Sequence, residues 1–454
     1  MTTTHTLWLF SPLGERLALL DNFLSLTYRR VVNGSGLQCG LFGRVSYPFT
    51  LTLPDDRRLA QRITRDSRIE VWRATGSGLA ELDTATVWFV RRIARRITSD
   101  GLRVLEIQAV PAIGLLERRL IAANAGSAAA TRYGYADNIM KAIVCENLST
   151  SASAARSIST WLAVQPDQSA GAVVRKAFAW RNVLTVLREL ADASTQAGTP
   201  VFFDIIAHGQ AGGATSLQFC TWAHVRGVDR RYRNAGGFAP VVVSYDMGNL
   251  VDAERATDWH DEATWVYVAG QGARDGRQVV EVGDTERATA TPFGRIEVLQ
   301  DARHITTADG LTSEGRARLQ QHQPQNTFAG TVISREPYAV YGRHWRFGDI
   351  VSAEFDGEII ACRIDQVNVA VDRNGEHISA TLAVVGSRPQ AMEGLVANEA
   401  SLGTETERTY QQVQEQSLPA DEELIIPTGT VMTTFGDYAV NGELRIDGEL
   451  RNYT

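Results

Sequence analysis

The chain has 454 residues, 44% of them hydrophobic, and a net charge of −7. This suits a globular protein of two to four domains and excludes a strongly basic nucleic-acid-binding domain. No stretch approaches the roughly 18 uninterrupted apolar residues of a membrane span, and Glu15 and Arg16 break the N-terminal segment where a secretory signal needs an apolar run.

The first hundred residues read as strands. Leu24–Val32 has the β-branched and aromatic mix of a strand and stops at Asn33-Gly34. Arg68–Arg73 (RIEVWR) alternates, with Ile69 and Val71 on one face and Glu70 and Trp72 on the other. Thr86–Ile97 and Leu102–Val110 form a hairpin through Ser99-Asp100-Gly101. Short strands separated by turn signals predict a small barrel or sandwich over residues 1–110.

From Pro111 the pattern changes. Ala112–Ala123 and Ala136–Leu148 have helical spacing. Asn182 is a good N-cap for a helix whose stripe is Val183, Leu184, Leu187, Leu190 and Ala191, stopped by Gly198 and Pro200. A strand at Val201–Ala207, the loop GQAGGAT (Gly209–Thr215) and Leu217–His224 complete a mixed α/β region over 111–239.

Strands return over 240–386. Val241–Tyr245, Ala263–Ala269 and Gln278–Val282 come first, the last two flanking the loop GQGARDG. Ser313–His322 reads as a helix. Thr327–Ser334, Ile350–Phe355, Glu358–Asn368 and His377–Val385 then follow, with hairpin turns at Asp356-Gly357 and Asn374-Gly375. Residues 387–423 are polar and form a linker.

The last segment, 424–454, carries a period of six: VNGELR (Val440–Arg445) runs directly into IDGELR (Ile446–Arg451). Val440, Leu444, Ile446 and Leu450 make a thin apolar stripe. So short a strip cannot bury that stripe alone. Either several chains intertwine into a β-stalk, the favoured reading, which makes these four residues oligomerisation contacts, or the strip folds back as a hairpin on its own domain.

No catalytic constellation stands out. Cys39, Cys145, Cys220 and Cys362 lie far apart, without CxxC partners or adjacent His, and read as buried thiols of a protein made in a reducing cytoplasm. Asp204, His208 and His224 could in principle supply a general base, but no G-x-S-x-G elbow accompanies them. His260, Asp261 and Glu262 are adjacent and so point apart, and neither HExxH nor zinc spacing occurs. The two glycine-rich loops match no phosphate-binding motif and read as turns. The arginine runs Arg57, Arg58, Arg62, Arg65, Arg68 and Arg91, Arg92, Arg95, Arg96, Arg103 could track phosphates. They lack stacking aromatics, so ion pairs or subunit contacts are the better reading. Lysine occurs only at Lys141 and Lys176. That fits large permanent interfaces, where arginine pairs better, or a GC-rich genome. The expectation from residues alone is a non-enzymatic structural protein without cofactor or metal.

The ordered segments resemble the siphovirus tail-hub family, the ring-forming protein at the tip of long-tailed phage tails. The series runs RIEVWR, VWFVRRIARR, LLERRLI, ADNIMKAIVCENL, GVDRR (Gly227–Arg231), MGNL, VYVAGQGARDGRQVVEV, GRIEVLQDAR (Gly294–Arg303) and WRFGDIVSAEFDGEIIACRIDQVNV, across roughly residues 5–390. FGDYAVNGELRIDGELRNYT is similar to short β-stalk ends of phage baseplate and fibre proteins. The resemblance implies a mainly β fold with an α+β insertion: two small tube-like β-barrels, a mixed α/β domain between them and a short C-terminal β-stalk. It implies a homotrimer that adapts the sixfold tail tube to a threefold tip. The implied partners are the distal tail protein, the tape-measure protein and tail-tip or fibre proteins. Genome DNA would pass transiently through the lumen, the host surface would be met indirectly, and no membrane insertion occurs in the resting state. The expected location is the virion tail tip, after assembly in the host cytoplasm. Some relatives carry fused cell-wall hydrolases or carbohydrate-binding modules. No such block is evident, but a hydrolase or a sugar-reading tip remains the alternative. The lumen is expected not to be basic, because a basic wall would trap DNA.

Overall fold

The computed structural model describes residues 3–385, apart from 37–46, 77, 100, 123–129, 179, 214, 273–275, 304, 306 and 335–338, together with strands 442–446 and 449–453. Cys39, Val440 and the linker lie outside the described residues, as does most of the terminal segment. Residues 392–454 form a unit of their own and are treated separately.

The N-terminal region contributes β1 (Thr3–Phe10), β2 (Arg16–Leu19), β3 (Ser25–Val31), β4 (Phe49–Pro54), α1 (Arg57–Arg62), β5 (Arg68–Thr75), β6 (Glu81–Leu82), β7 (Trp88–Ile97) and β8 (Arg103–Pro111). β3 stops where Asn33 and Gly34 both take positive φ, a conformation that suits these two residues. Strand β4 shows strict inside–outside alternation, with Phe49, Leu51 and Leu53 buried. Alternation fails in β5, where Arg68 to Trp72 are buried along with Arg73. Its polar face is covered as well as its apolar one.

The middle region holds β9 (Ala130–Tyr135), α2 (Ala136–Asn147), β10 (Leu162–Val164), β11 (Val173–Phe178), α3 (Val183–Gln196), β12 (Val201–His208) and β13 (Ser216–Ala223). Asn182 caps α3 as expected, its side chain accepting from the Thr185 amide at 3.2 Å. The expected helix at 112–123 is instead a 3-10 segment over Ala112–Arg118. Val183, Leu187 and Leu190 pack with Ile139, Ile143, Phe203 and Phe219 in one cluster. Lys141 is buried on α2, held by Asp137 at 2.9 Å and the Pro166 carbonyl at 2.6 Å. A buried ammonium needs such partners.

The C-terminal region comprises β14 (Val242–Ser244), β15 (Leu250–Asp258), β16 (Trp265–Ala269), β17 (Val279–Gly283), α4 (Thr285–Thr289), β18 (Glu297–Asp301), α5 (Ala308–Gln321), β19 (Gln325–Ile333), β20 (Ile350–Phe355), β21 (Glu358–Asp372) and β22 (Gly375–Val384). Between β15 and β19 sits an insertion not foreseen as a separate body. Strands β17-β16-β18 form a sheet, which α5 covers through Val266, Val268, Leu311 and Leu319.

The two β-rich regions share one sheet and one core. The strand path is β15-β19-β22-β21-β3-β4-β8-β7-β5-β1-β2, with β6, β14 and β20 attached. The expected pair of tube-like barrels is not seen within one chain: no closed barrel forms among the described strands. The reason lies in β21, which is 15 residues long and bulged between Ile364 and Gln366. Before the bulge one edge pairs with β20, and beyond it the same edge pairs with β3. The bulge re-aims the strand and lets it join the two regions instead of closing either one. Leu7, Phe49, Trp88 and Val71 from one region pack in the same cluster as Val351, Ile364, Val367 and Leu382 from the other.

In the terminal unit, β23 (Gly442–Ile446) and β24 (Glu449–Tyr453) pair antiparallel. The register sets Leu444 opposite Arg451, Leu450 opposite Arg445 and Ile446 opposite Glu449.

Candidate functional site

Polar side chains seldom survive burial unless each finds a partner, so the buried ones trace the seams between regions. The turn after β3 docks on the middle region: the Asn33 side-chain oxygen accepts from the Phe203 amide at 2.9 Å. Arg188 of α3 donates to the carbonyls of Asn33 and Gly34. Three residues before Asn33, Arg30 reaches Asp204 of β12 at 2.6 Å, and Arg226, just past β13, reaches the same carboxylate oxygen at 2.7 Å. Burial pushes the Asp204 carboxyl upward, but Arg30 and Arg226 outweigh it and hold the group below its ordinary range. Burial lowers the Arg30 guanidinium from its own ordinary value.

A second seam joins the N- and C-terminal regions. Asp83 is buried and accepts from the hydroxyls of Tyr28 on β3 and Tyr341, the latter at 2.6 Å. Burial raises its pKa. Beside it, Arg73 of β5 grips Glu376 of β22 through two parallel hydrogen bonds, at 2.6 and 2.8 Å. Burial alone would raise the Glu376 pKa, yet Arg73 and His5 bring it down to about 2. Glu70 on β5 is tied to the middle region by Thr215, whose hydroxyl donates to it at 2.7 Å.

Beside these seams lies a cleft of about 740 Å³, whose lining includes Arg73, Asp83, Arg226, Tyr341, Arg346 and Phe347. Arg346 and Glu81 pair at 2.8 Å across its exposed mouth.

The residues considered for catalysis do not converge. Asp204 spends its carboxylate on two arginines. His208 and His224 are both exposed. They sit at opposite ends of the β12–β13 ladder, which runs from His208 opposite Ser216 to Val201 opposite Ala223. Seven strand steps separate those ends, roughly 23 Å at about 3.3 Å per residue. In the 260–262 run, Glu262 pairs with Arg287 at 3.0 Å and the Asp261 carbonyl meets the His322 ring at 2.6 Å. Among the described residues no group of three or more His, Cys, Asp or Glu could hold a metal ion, and no helix is long and apolar enough to cross a membrane. GQAGGAT is the β12–β13 connection that delivers Thr215 to Glu70.

Four of the five arginines in the second run are paired. Arg91 meets Asp66 at 2.9 Å, Arg95 meets Asp55 at 2.6 Å, and Arg92 and Arg96 share Glu106 at 3.3 and 2.7 Å. Of the first run, Arg68 lies over Phe89 and Trp161 and donates to the Pro12 carbonyl at 3.0 Å. Reading the sequence alone missed the roles of Asp83, Tyr341, Arg30 and Glu376. Their only local signal is a charge or hydroxyl within a strand-like or turn-like run.

The chain matches the family described as Siphovirus ReqiPepy6 Gp37-like protein over residues 6–382. No curated protein matches it. Among solved structures it is similar to the 43 kDa tail protein of prophage MuSo2 from Shewanella oneidensis, at 13% identity and TM-score 0.47, covering 83% of this chain and 98% of that one. It is also similar to prophage tail protein gp18 from Listeria monocytogenes EGD-e, at 11% identity and TM-score 0.45, covering 90% and 98%. A tail protein from Neisseria meningitidis MC58 is similar at 11% identity and TM-score 0.44, covering 85% and 99%.

Proposed function

The chain belongs to the Siphovirus ReqiPepy6 Gp37-like family of siphovirus tail proteins, and from that premise we propose that it is the trimeric hub at the tip of a long-tailed phage tail. It adapts the sixfold tail tube to a threefold tip. It meets the distal tail and tape-measure proteins on one side and tip or fibre proteins on the other, and lets genome DNA pass through its lumen.

The observation that supports this reading is the openness of the sheet. Among the described strands its path ends at β2 and at β15, each paired there on one side only. An unpaired edge is a row of backbone donors and acceptors that a soluble protein must cover or pair. Copies related by a closed rotation bring one edge against another surface of the next chain and leave none over. In this reading the tube-like barrels take shape in the ring, with β-rich regions 1–110 and 240–386 lining it and region 111–239 outside. Residues 424–454 form the stalk.

The protein acts as a structural component of the virion. A hydrolase reading has no assembled residues to rest on, since Asp204 is taken and the two histidines stand apart. Loss of cell-wall lysis in a zymogram on His208→Ala would reverse that judgement. Native mass spectrometry tests the hub. A species of about 149 kDa, three chains of 49.7 kDa, is expected. A 49.7 kDa monomer at tens of micromolar, with no ring by electron microscopy, overturns the proposal.

A further inference from the structure

We infer that in the assembled protein β15 of one copy adds to the free outer edge of β7 on the next, so that two copies of this chain share one continuous sheet. The inference rests on the assembly of copies proposed above and names the strands that meet. It does not depend on how many copies close the ring.

Both strands offer an edge. Among the described residues, β7 pairs with β5 only at Trp88 and Phe89, and the Val90 backbone completes that contact through Asp66 and Ser67. From Arg92 to Ile97 its ladder runs to β8 alone. β15 pairs with β19 alone, and its nine residues are long enough to run along all of that free stretch. Rows of backbone donors and acceptors of this kind recruit another strand unless something deters it. Ile93 and Ile97, 37% and 65% exposed, add apolar surface that a neighbouring strand would cover.

Charge selects one edge for the other. Residues directly opposed on paired strands lie on the same face. Ile93 and Arg95 stand opposite Ile107 and Leu105 of β8, both core residues, so Arg92, Ala94 and Arg96 form the face turned away from the core. On β15, Arg255 stands opposite Phe328, again a core residue, so Glu254, Ala256 and Asp258 form its outward face. A base–small–base row thus meets an acid–small–acid row of the same spacing. Arg92 and Arg96 share the single carboxylate of Glu106, which leaves the β7 row positive. Across the ladder from Glu254 and Asp258 stand Ala329 and Gln325, both uncharged; Asp258 accepts only the nearby His260 amide.

The core-side residues set the direction. With Ala94 beside Ala256, an antiparallel approach would set Arg95 against Arg255, a repulsive pair. A parallel approach sets Ile93 beside Arg255 and brings Arg92 to Glu254 and Arg96 to Asp258. The same charges deter the wrong pairings: β7 against β7 opposes two arginine rows, and β15 against β15 opposes two carboxylate rows. Only unlike edges meet, which is the head-to-tail contact that a closed rotation turns into a ring. β2, at the other end of the path, has four residues and one charge, Arg16, and so carries no matching row.

The test is hydrogen–deuterium exchange of the full-length protein, assembled at tens of micromolar and dispersed by dilution, with native mass spectrometry reporting the species present. On assembly, exchange at the outward amides of Arg92–Ile97 and of β15 is expected to slow at least about tenfold. Glu254 is exposed, so Glu254→Arg keeps the fold and is expected to weaken assembly about tenfold by setting arginine against arginine. Sodium chloride at about 1 M, where screening shortens to about 3 Å, is expected to weaken it too. Assembly in which both strands exchange as fast as in the dispersed protein overturns the inference and leaves the hub standing. Protection of both strands in a dimer upholds the strand contact and overturns the trimer. A monomer at every concentration overturns both. Assembly unchanged by Glu254→Arg and by salt overturns the charge pairing that selects β15.

Discussion

Arg73 and Glu376, 303 residues apart in the chain, face each other with two parallel hydrogen bonds of 2.6 and 2.8 Å. The pair clamps β5 of the N-terminal region to β22 of the C-terminal region. Arg73 also donates to the Tyr341 carbonyl at 3.0 Å and the Thr75 hydroxyl at 2.9 Å. A bidentate guanidinium–carboxylate pair adds direction as well as energy. Here it fixes how the two β-rich regions meet.

Removing Glu376 leaves a buried guanidinium, so Glu376→Gln is expected to destabilise the fold by about 3 kcal/mol or more at pH 7, read from urea denaturation. The pH dependence follows from its depressed pKa. The folded-state value of about 2 lies below the ordinary 4.5, so the unfolded chain binds the proton more readily. The stabilisation is complete above pH 4.5 and is lost as pH falls from 4.5 toward 2. Glu376→Gln removes this part of the acid slope. An unchanged slope refutes the assignment.

Asp204 holds two buried arginines, and its loss is expected to cost more than the loss of either. Asp204→Ala should destabilise by about 3–5 kcal/mol. Arg226→Met keeps the Arg30–Asp204 pair and should cost less. Guanidinium denaturation of both variants measures the order, and a larger loss for Arg226→Met contradicts the shared-carboxylate arrangement.

Tyr28 and Tyr341 donate to opposite oxygens of Asp83. Tyr28→Phe and Tyr341→Phe are each expected to cost about 1–3 kcal/mol, because each removes a hydrogen bond to a buried carboxylate. The raised folded-state pKa of Asp83 has the opposite sign to Glu376. The folded chain holds the proton more tightly, so this site's contribution is most favourable below the ordinary pKa of 3.8 and declines as pH rises through the folded value. Asp83→Asn removes that decline, and a stability profile of the variant checks it.

For the terminal strip, Leu444→Asp with Leu450→Asp is expected to shift the assembled species toward monomer, because three chains would have to bury these carboxylates together. Mass photometry across a dilution series reads the change. An unaltered trimer assigns the strip to a hairpin role.

Local chemistry already specified much of this protein. Asn182 before an apolar stripe, Asp356-Gly357 between two alternating runs, and the six-residue repeat ending at Arg451 each announce an element or a turn within a few residues. Hydrogen-bond geometry along the chain needs no distant partner to make such features legible. The distant partners were another matter. Glu70 and Trp72 read as the polar face of a strand, and only the Thr215 loop explains why that face is buried. Asp83 belongs to no motif in the sequence, and only Tyr28 and Tyr341 make it the centre of a seam.

The mainly β character and the lack of a local catalytic motif were thus determined by the sequence itself. Tertiary structure alone decided that one bulged strand, β21, welds two β-rich regions into a single open sheet, and that Arg73 finds Glu376 across it. Strand propensity and turn type depend on neighbours in the chain. Pairing partners and buried charges depend on neighbours in space, which folding brings from hundreds of residues away.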